Sequence, residues 1–307
     1  MSVAVAVVEP ERDLLEVLVS MDLQVACLER LLSRLCLSGI IGDYREAGEA
    51  RTAMIATALA LRSADMLFGT ARDVPAAFAH GVPVSAILAQ ALGKGGDPGR
   101  GRGMPGAITH QRYGVSLTDG NIASHTVHAS GFGQAAQIRG DERVACALIG
   151  SGALANGEVH AGFNFAALSA ARTLFVVRGE VGDGVSLEGA GDSWGLPVVV
   201  VRGDDGQAVF GAVREARSRA IAGEGPTLVD ARLPAQVEPL DWRAHQARGG
   251  WSADHHQEVL REIESVVRDA RKEAEGGDDI RPASLFEDVF EDRPWFLQPN
   301  GTHEVTP

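Results

Sequence analysis

Between residues 144 and 231 the chain repeats one pattern: a short, almost wholly apolar run, then a stretch long enough for a helix. The runs cover 144–149, 173–177, 198–201 and 227–231, and helical spacing is expected over 156–169 and 207–221. Strands that are apolar throughout need cover on both faces, and helices between successive strands make those strands parallel. The pattern therefore predicts an α/β fold, a buried parallel sheet with helices on both faces.

The flanks read differently. Leu14, Leu18, Met21, Val25, Leu28 and Leu32 recur at helical spacing, 46–62 is Ala-rich with a similar period, and Pro75 and Pro83 frame a further helix ending near Leu92. Residues 93–106 hold too many glycines and prolines for regular structure and are expected as a loop. A helix is expected over 123–137. After 232 the strands stop, one charged amphipathic helix follows over 253–274, and the tail carries Leu285, Phe286, Phe290, Trp295 and Phe296, aromatic enough to pack on something. The expected organisation is a helical N-terminal region at 1–65, an α/β core at 66–232, and a C-terminal helix and tail at 233–307 packing on a partner.

Charge and cysteine content narrow the function classes. The chain has 307 residues, with 28 Lys+Arg against 41 Asp+Glu, a net charge of -13 that disfavours nucleic acid as a main partner. Its apolar start, 3–8, runs into Glu9-Pro10-Glu11-Arg12 with no basic segment before it, so neither a signal peptide nor a membrane span is expected. Cys27, Cys36 and Cys146 show no C-x-x-C spacing and leave an odd number, against a disulfide framework or a structural zinc. A cytoplasmic location is the expectation.

In an open parallel sheet ligands bind beyond the carboxyl ends of the strands, here in the loops after residues 149 and 177. Those loops are Gly150-Ser151-Gly152-Ala153 and Arg178-Gly179-Glu180. Glycines let a backbone approach a phosphate, and a helix starting near Asn156 offers its positive end; a tight strand-to-helix turn would use the same residues.

The stretch from Gly150 to Ala167, Gly-Ser-Gly-Ala-Leu-Ala-Asn-Gly-Glu-Val-His-Ala-Gly-Phe-Asn-Phe-Ala-Ala, resembles the thiamine diphosphate motif of the alpha subunits of branched-chain 2-oxo acid dehydrogenases. Leu67-Phe68-Gly69-Thr70-Ala71-Arg72 is similar to the family's Phe-Gly-x-Tyr-Arg, Gly101-Arg102-Gly103-Met104-Pro105 to its Gly-Arg-x-Met-Pro, and Ser284-Leu285-Phe286-Glu287-Asp288-Val289 to its C-terminal Leu-Phe-x-Asp-Val. The resemblance runs from about residue 20 to 296 and implies a thiamine-diphosphate-binding fold. It also implies a decarboxylating, acyl-transferring activity on a small 2-oxo acid, and a beta-type partner in an α2β2 heterotetramer, with the cofactor held between the two subunits. On that basis Arg72 and Arg178 match diphosphate-binding arginines, Ile122 matches an apolar residue against the cofactor ring, and Gly150, Ser151, Gly152 and Ala153 form the phosphate turn.

Departures from the family pattern fall on the chemistry. The two positions that hold Mg²⁺ in the family, an acidic residue and an Asn, are occupied here by Ser151 and Glu180: either the carboxylate ligand has changed loops, or the exchange is drift after the cofactor was abandoned. Ala71 replaces the tyrosine beside Arg72, Ala107 stands where the family has a histidine after Met-Pro, and the family's Gly-His-His loop falls on 233–239, which has no histidine and no Ser, Thr or Tyr. The segment between Glu180 and Trp194 is roughly ten residues shorter than the family loop. His110, His125 and Glu180 are the candidate catalytic groups if proton transfer occurs in the cleft, with His128 near them; His160 matches a structural helix position, and His255-His256 lack a ligand partner at i+4. Three functions stay open: a thiamine-dependent alpha-type subunit, a cofactor-independent enzyme using the same cleft, and a non-catalytic scaffold for a beta-like chain.

Overall fold

A computed structural model describes residues 13–179, 187–237, 240, 252–287, 290–292 and 294–295. Seven strands form one sheet: β1 (Met66–Thr70), β2 (Thr109–His110), β3 (Val115–Thr118), β4 (Ala145–Gly150), β5 (Thr173–Gly179), β6 (Val198–Arg202) and β7 (Thr227–Arg232). Their order is β2-β3-β1-β4-β5-β7-β6, every pairing parallel except β2 with β3 at one edge. The apolar runs from 144 onward are β4 to β7, and β4 and β5 are buried along almost their whole length, as strands covered on both faces must be.

Two layers of helix cover the sheet. On one side lie α1 (Leu14–Leu37), α2 (Arg51–Ala60), α3 (Val74–Ala79), α4 (Val84–Ala91), α8 (Gly206–Ile221) and α9 (Ala253–Glu275), joined in a single apolar core with Leu67, Cys146, Leu148, Leu174 and Val176 of the sheet. On the other side α5 (Ser124–Arg139), α6 (Gly157–Leu168) and α7 (Leu187–Trp194) pack on Phe68, Ile149, Phe175 and Val177. The alternation of neighbours Val176 and Val177 between the two cores is the two-residue period of a strand. The helices at either end of the chain thus share the core of the α/β region. Among the described residues no helix is long and apolar enough to cross a membrane.

Sequence signals account for the helix starts. Asp13, Asn156, Asp205 and Ser252 cap α1, α6, α8 and α9, each side chain accepting a hydrogen bond from a backbone N–H in the first turn. Gly133 in α5 lies so close to β5 that a Cβ there would sit 2.1 Å from Thr173 Oγ1, which sets the depth at which that helix packs.

Several expectations need correction. The runs read as strands start at 144, but the sheet already begins at Met66: β1 and β3 are further parallel strands in stretches given no element, inside the core expected over 66–232. The helix expected between Pro75 and Leu92 is two helices, α3 and α4, interrupted by Gly81-Val82-Pro83, because Pro83 has no N–H to continue the first. The stretch between Glu180 and residue 198, to which no helix was assigned, contains α7.

β1 is anchored below by a buried ion pair. Asp65, just before it, receives Arg217 of α8 through Nε to Oδ2 at 2.6 Å and Nη2 to Oδ1 at 3.0 Å, and also accepts from the backbone N–H of Arg62 and Val144. The four bonds fix the entries of β1 and β4 together.

Candidate functional site

β1 leads to β3 on one side, and the chain then returns to the opposite side of β1 as β4, so the sheet has its switch point at the carboxyl ends of β1 and β4. A cleft of about 540 Å³ opens there. Its walls come from the ends of β1 (Thr70, Ala71, Arg72), β3 (Thr118 to Ile122), β4 (Gly150, Gly152, Ala153) and β5 (Arg178), with Met104-Pro105 and Asp43 and Arg45 from two loops. Of the residues singled out from sequence, Arg72, Ile122, Gly150, Gly152, Ala153 and Arg178 line this one cleft.

The turn after β4 is a short 3-10 helix, Ser151–Ala153, followed by Asn156 capping α6. A Cβ at Gly150 or Gly152 would meet nothing within 4 Å, so the space over the turn is open. Gly179 has φ +112, and a Cβ there would lie 3.0 Å from Ser151 Oγ, which brings the end of β5 against the serine hydroxyl. Glu180, the next residue, lies outside the described residues. Asn121 Nδ2 donates to Glu158 Oε1 at 3.1 Å and ties the loop after β3 to the start of α6.

Arg178 is buried and faces Asp73, with Nη2 2.5 Å from Oδ1. Asp73 Oδ2 accepts from Thr70 N at 2.8 Å and Thr70 Oγ1 at 2.9 Å, closing the turn after β1. Asp73 Oδ1 and Arg178 Nε, both buried, have no aligned hydrogen-bond partner, so this contact is ionic and single-pointed. Arg72 is exposed, and makes no ion pair or side-chain hydrogen bond with the described residues. Ile122, 63% exposed at the cleft, is free of the core.

The two candidate histidines stand elsewhere. His110 is on the outermost strand, β2, its ring edge-on to Tyr113 with centroids 4.6 Å apart. Burial, then Arg112, holds its pKa below the ordinary imidazole value. His125, in the first turn of α5, is fully buried; its Nε2 donates to the Leu148 carbonyl at 2.8 Å and its Nδ1 has no partner. Burial lowers its pKa, with Asp73 opposing that shift and Arg178 adding to it. Neither lines the cleft, and no histidine does among the described residues. His160 is structural in the same region: its Nε2 donates to the Leu154 carbonyl at 2.9 Å while Nδ1 accepts from Trp194 Nε1 at 3.0 Å.

Sequence reasoning missed Asp73, Asp43, Arg45, Asp119 and Gln90. Asp73 directly follows the matched Arg72, so it was within sight. What no periodicity reveals is that its partner is Arg178, on a strand two places away in the sheet.

A family model, the dehydrogenase E1 component, matches residues 20–233. The 2-oxoisovalerate dehydrogenase subunit alpha of Pseudomonas aeruginosa is 30% identical over 288 residues, covering 80% of this chain and 70% of that protein. The human mitochondrial 2-oxoisovalerate dehydrogenase subunit alpha is 27% identical over 324 residues, covering 93% and 72%. The pyruvate dehydrogenase E1 component subunit alpha of Staphylococcus aureus is 26% identical over 292 residues, covering 83% and 76%. A solved Mycobacterium smegmatis structure, described as thiamin diphosphate-dependent, aligns with TM-score 0.41 and 17% identity over 60% of this chain and 32% of that one. With the family model matched over more than two thirds of its length, the chain belongs to the dehydrogenase E1 component family, alongside the alpha subunits of the branched-chain 2-oxo acid and pyruvate dehydrogenases.

Proposed function

We propose that this chain is the alpha-type subunit of a cytoplasmic, heteromeric 2-oxo acid dehydrogenase-like enzyme, decarboxylating and acyl-transferring. In this reading its cleft takes thiamine diphosphate with Mg²⁺ against a beta-type subunit, in an α2β2 assembly. One observation carries the proposal: Arg72, Ile122, Gly150, Gly152, Ala153 and Arg178, from four separate stretches of sequence, converge on one cleft at the switch point.

The residues present fit the phosphate half of such a ligand. Among the described residues Arg72 is unpaired, Arg178 keeps a buried Nε with no partner, and the space over Gly150 and Gly152 is open. Guanidinium groups bind phosphate oxygens through paired N–H donors, and a side-chain-free turn lets the backbone come close. Ile122 offers an apolar face for a flat ring. For the metal, Ser151 gives one hydroxyl oxygen beside Gly179, and Glu180 is the carboxylate assigned here to Mg²⁺.

Thiamine diphosphate, when bound, supplies the electron sink needed to break the bond between a keto carbon and its carboxylate. The chain's own residues bind and orient. Arg72 and Arg178 fix the diphosphate, Asp73 holds the second guanidinium in place, and Met104-Pro105 walls the cleft. With no histidine in the cleft among the described residues, proton movement is assigned in this reading to the beta-type subunit. The same absence, together with Ser151 where a carboxylate is the rule, favours the scaffold as the second reading over a cofactor-independent enzyme built on His110, His125 and Glu180.

Calorimetry of the co-expressed alpha and beta-like pair with thiamine diphosphate and Mg²⁺ tests the proposal, with light scattering to establish the assembly. Heat of binding is expected, abolished by Glu180→Gln and kept or strengthened by Ser151→Asp. No heat at millimolar cofactor from an intact pair would turn the reading to the scaffold.

A further inference from the structure

The C-terminal segment after α9 braces the loop that walls the cleft, a contact that the proposed function does not use. The Gly-rich loop 93–106 ends in Met104-Pro105, the cleft wall, and residues 278–287 hold it from behind. Lys94 and Asp279 form an antiparallel bridge with Nζ 2.5 Å from Oδ1, and Gly95 N donates to the Asp278 carbonyl at 2.7 Å. Arg102 then reaches over to donate through Nη2 to the carbonyls of Ser284 and, at 2.9 Å, Glu287. Those two carbonyls lie at the end of a 3-10 turn, Pro282–Phe286, where the Ser284 carbonyl also accepts from Glu287 N at 3.2 Å.

On the cleft side the same loop is held by single side chains. Gln90 Nε2 donates to the Met104 carbonyl at 2.9 Å and its Oε1 accepts from Gly106 N at 3.0 Å, while Met104 N donates to Asp119 Oδ2 at 2.8 Å. Gly106, at φ +90, lies where a Cβ would be 2.4 Å from the Ala71 carbonyl, beside Arg72. The loop therefore has no freedom to shift at one end without being felt at the other. Beyond the clasp, Phe290 is 53% and Trp295 81% exposed, so the strand of chain that fastens the wall continues into a surface-lying aromatic tail.

We infer that Arg102 is a positioning residue: it straps the cleft wall at Met104-Pro105 to the C-terminal segment 281–287, so that order in the tail and order in the cleft rise and fall together. Such coupling is reciprocal, since whatever stabilises one end in the strapped arrangement must stabilise the other. The structural part of this inference is independent of what the cleft binds; its ligand arm rests on the thiamine diphosphate reading.

Hydrogen exchange on the full chain with its beta-like partner tests it. Without ligand, Arg102→Gln is expected to speed exchange about tenfold in both 97–106 and 281–287, with β4 and β5 unchanged, as the loss of two hydrogen bonds to charge implies. Arg102→Lys, which can still reach one carbonyl, is expected to restore part of the protection, and Arg271→Gln on the exposed face of α9 to change neither segment. Faster exchange in the tail alone overturns the inference. In the second arm, thiamine diphosphate with Mg²⁺ is expected to slow exchange in 281–287 as well as in the cleft of the wild type, and less so in Arg102→Gln. Protection of the cleft without the tail overturns the coupling. No protection anywhere counts against the cofactor reading instead, and the ligand-free arm then decides this one.

Discussion

β1 has a buried Asp–Arg pair at each end, and the two pairs are built differently. Below, Asp65 and Arg217 meet through two parallel hydrogen bonds, and both carboxylate oxygens take a further backbone N–H, so little hydrogen-bonding capacity is left over. Above, Asp73 and Arg178 meet at one point, with Arg178 Nε and one carboxylate lone-pair direction unmatched next to the cleft. Burying an ion pair is costly unless its remaining donors and acceptors are matched. The lower pair meets that condition internally and is a fastening. The upper pair does not meet it among the described residues, and it is there that the proposed function places a phosphate.

The largest expected effect breaks the fastening. Arg217→Met leaves Asp65 charged, buried and short of two donors, and should cost about 3–5 kcal/mol in urea denaturation. A loss under about 1 kcal/mol would mean that the two pairs are alike after all. Next, Arg178→Gln should cost less stability, about 2 kcal/mol, because its contact is single-pointed, yet weaken binding of inorganic pyrophosphate to the assembled protein about tenfold or more. A variant as unstable as Arg217→Met with unchanged anion affinity would make the upper pair a fastening too.

A pH dependence sharpens the comparison from the side. Burial depresses the pKa of His125, which sits close enough to the upper pair to feel both its charges, and of His80, which contacts the Asp65 carbonyl by the lower pair. A histidine whose folded value lies below its unfolded value near 6.5 contributes its full stability above that value and loses it as pH falls towards the folded one. Stability should therefore decline below about pH 6.5, and His125→Gln should flatten part of that slope in denaturation curves between pH 7 and 5. The smallest effect is a control: Arg271→Ala, breaking an exposed pair with Glu275, should stay within about 0.5 kcal/mol of the parent.

What was legible in the sequence follows burial. β4 and β5 announce themselves because both faces are covered, so nearly every side chain is apolar. β1, Met66–Thr70, is as central in the sheet but ends in Gly-Thr, next to an Ala-rich helix, and five residues are too few to show a period. β3 alternates Val, Ser, Leu, Thr over only four residues. The cleft was legible as far as motifs reach: the glycine turn and Arg178 followed strands read from the sequence, Arg72 came only from the family resemblance, and all of them line one cleft. The histidines were not, because a sequence shows that an imidazole exists and not whether a carbonyl such as that of Leu148 has already taken its proton. Glu180 lies outside the described residues, and its role rests on the experiment above.

Cys146 gives the protein a built-in chemical clock. It lies on β4 between Leu67 and Leu174, fully buried, with its thiol pushed far above the usual range chiefly by that burial, while Cys27 and Cys36 on α1 are only half-buried. An alkylating reagent attacks thiolates, so in the native protein Cys146 should be inert however long the exposure. It becomes reactive only when the centre of the sheet opens, so the slow appearance of a third label on the chain reports how much of that opened state is populated, and its rate of formation once reagent outpaces reclosing, in the absence of denaturant.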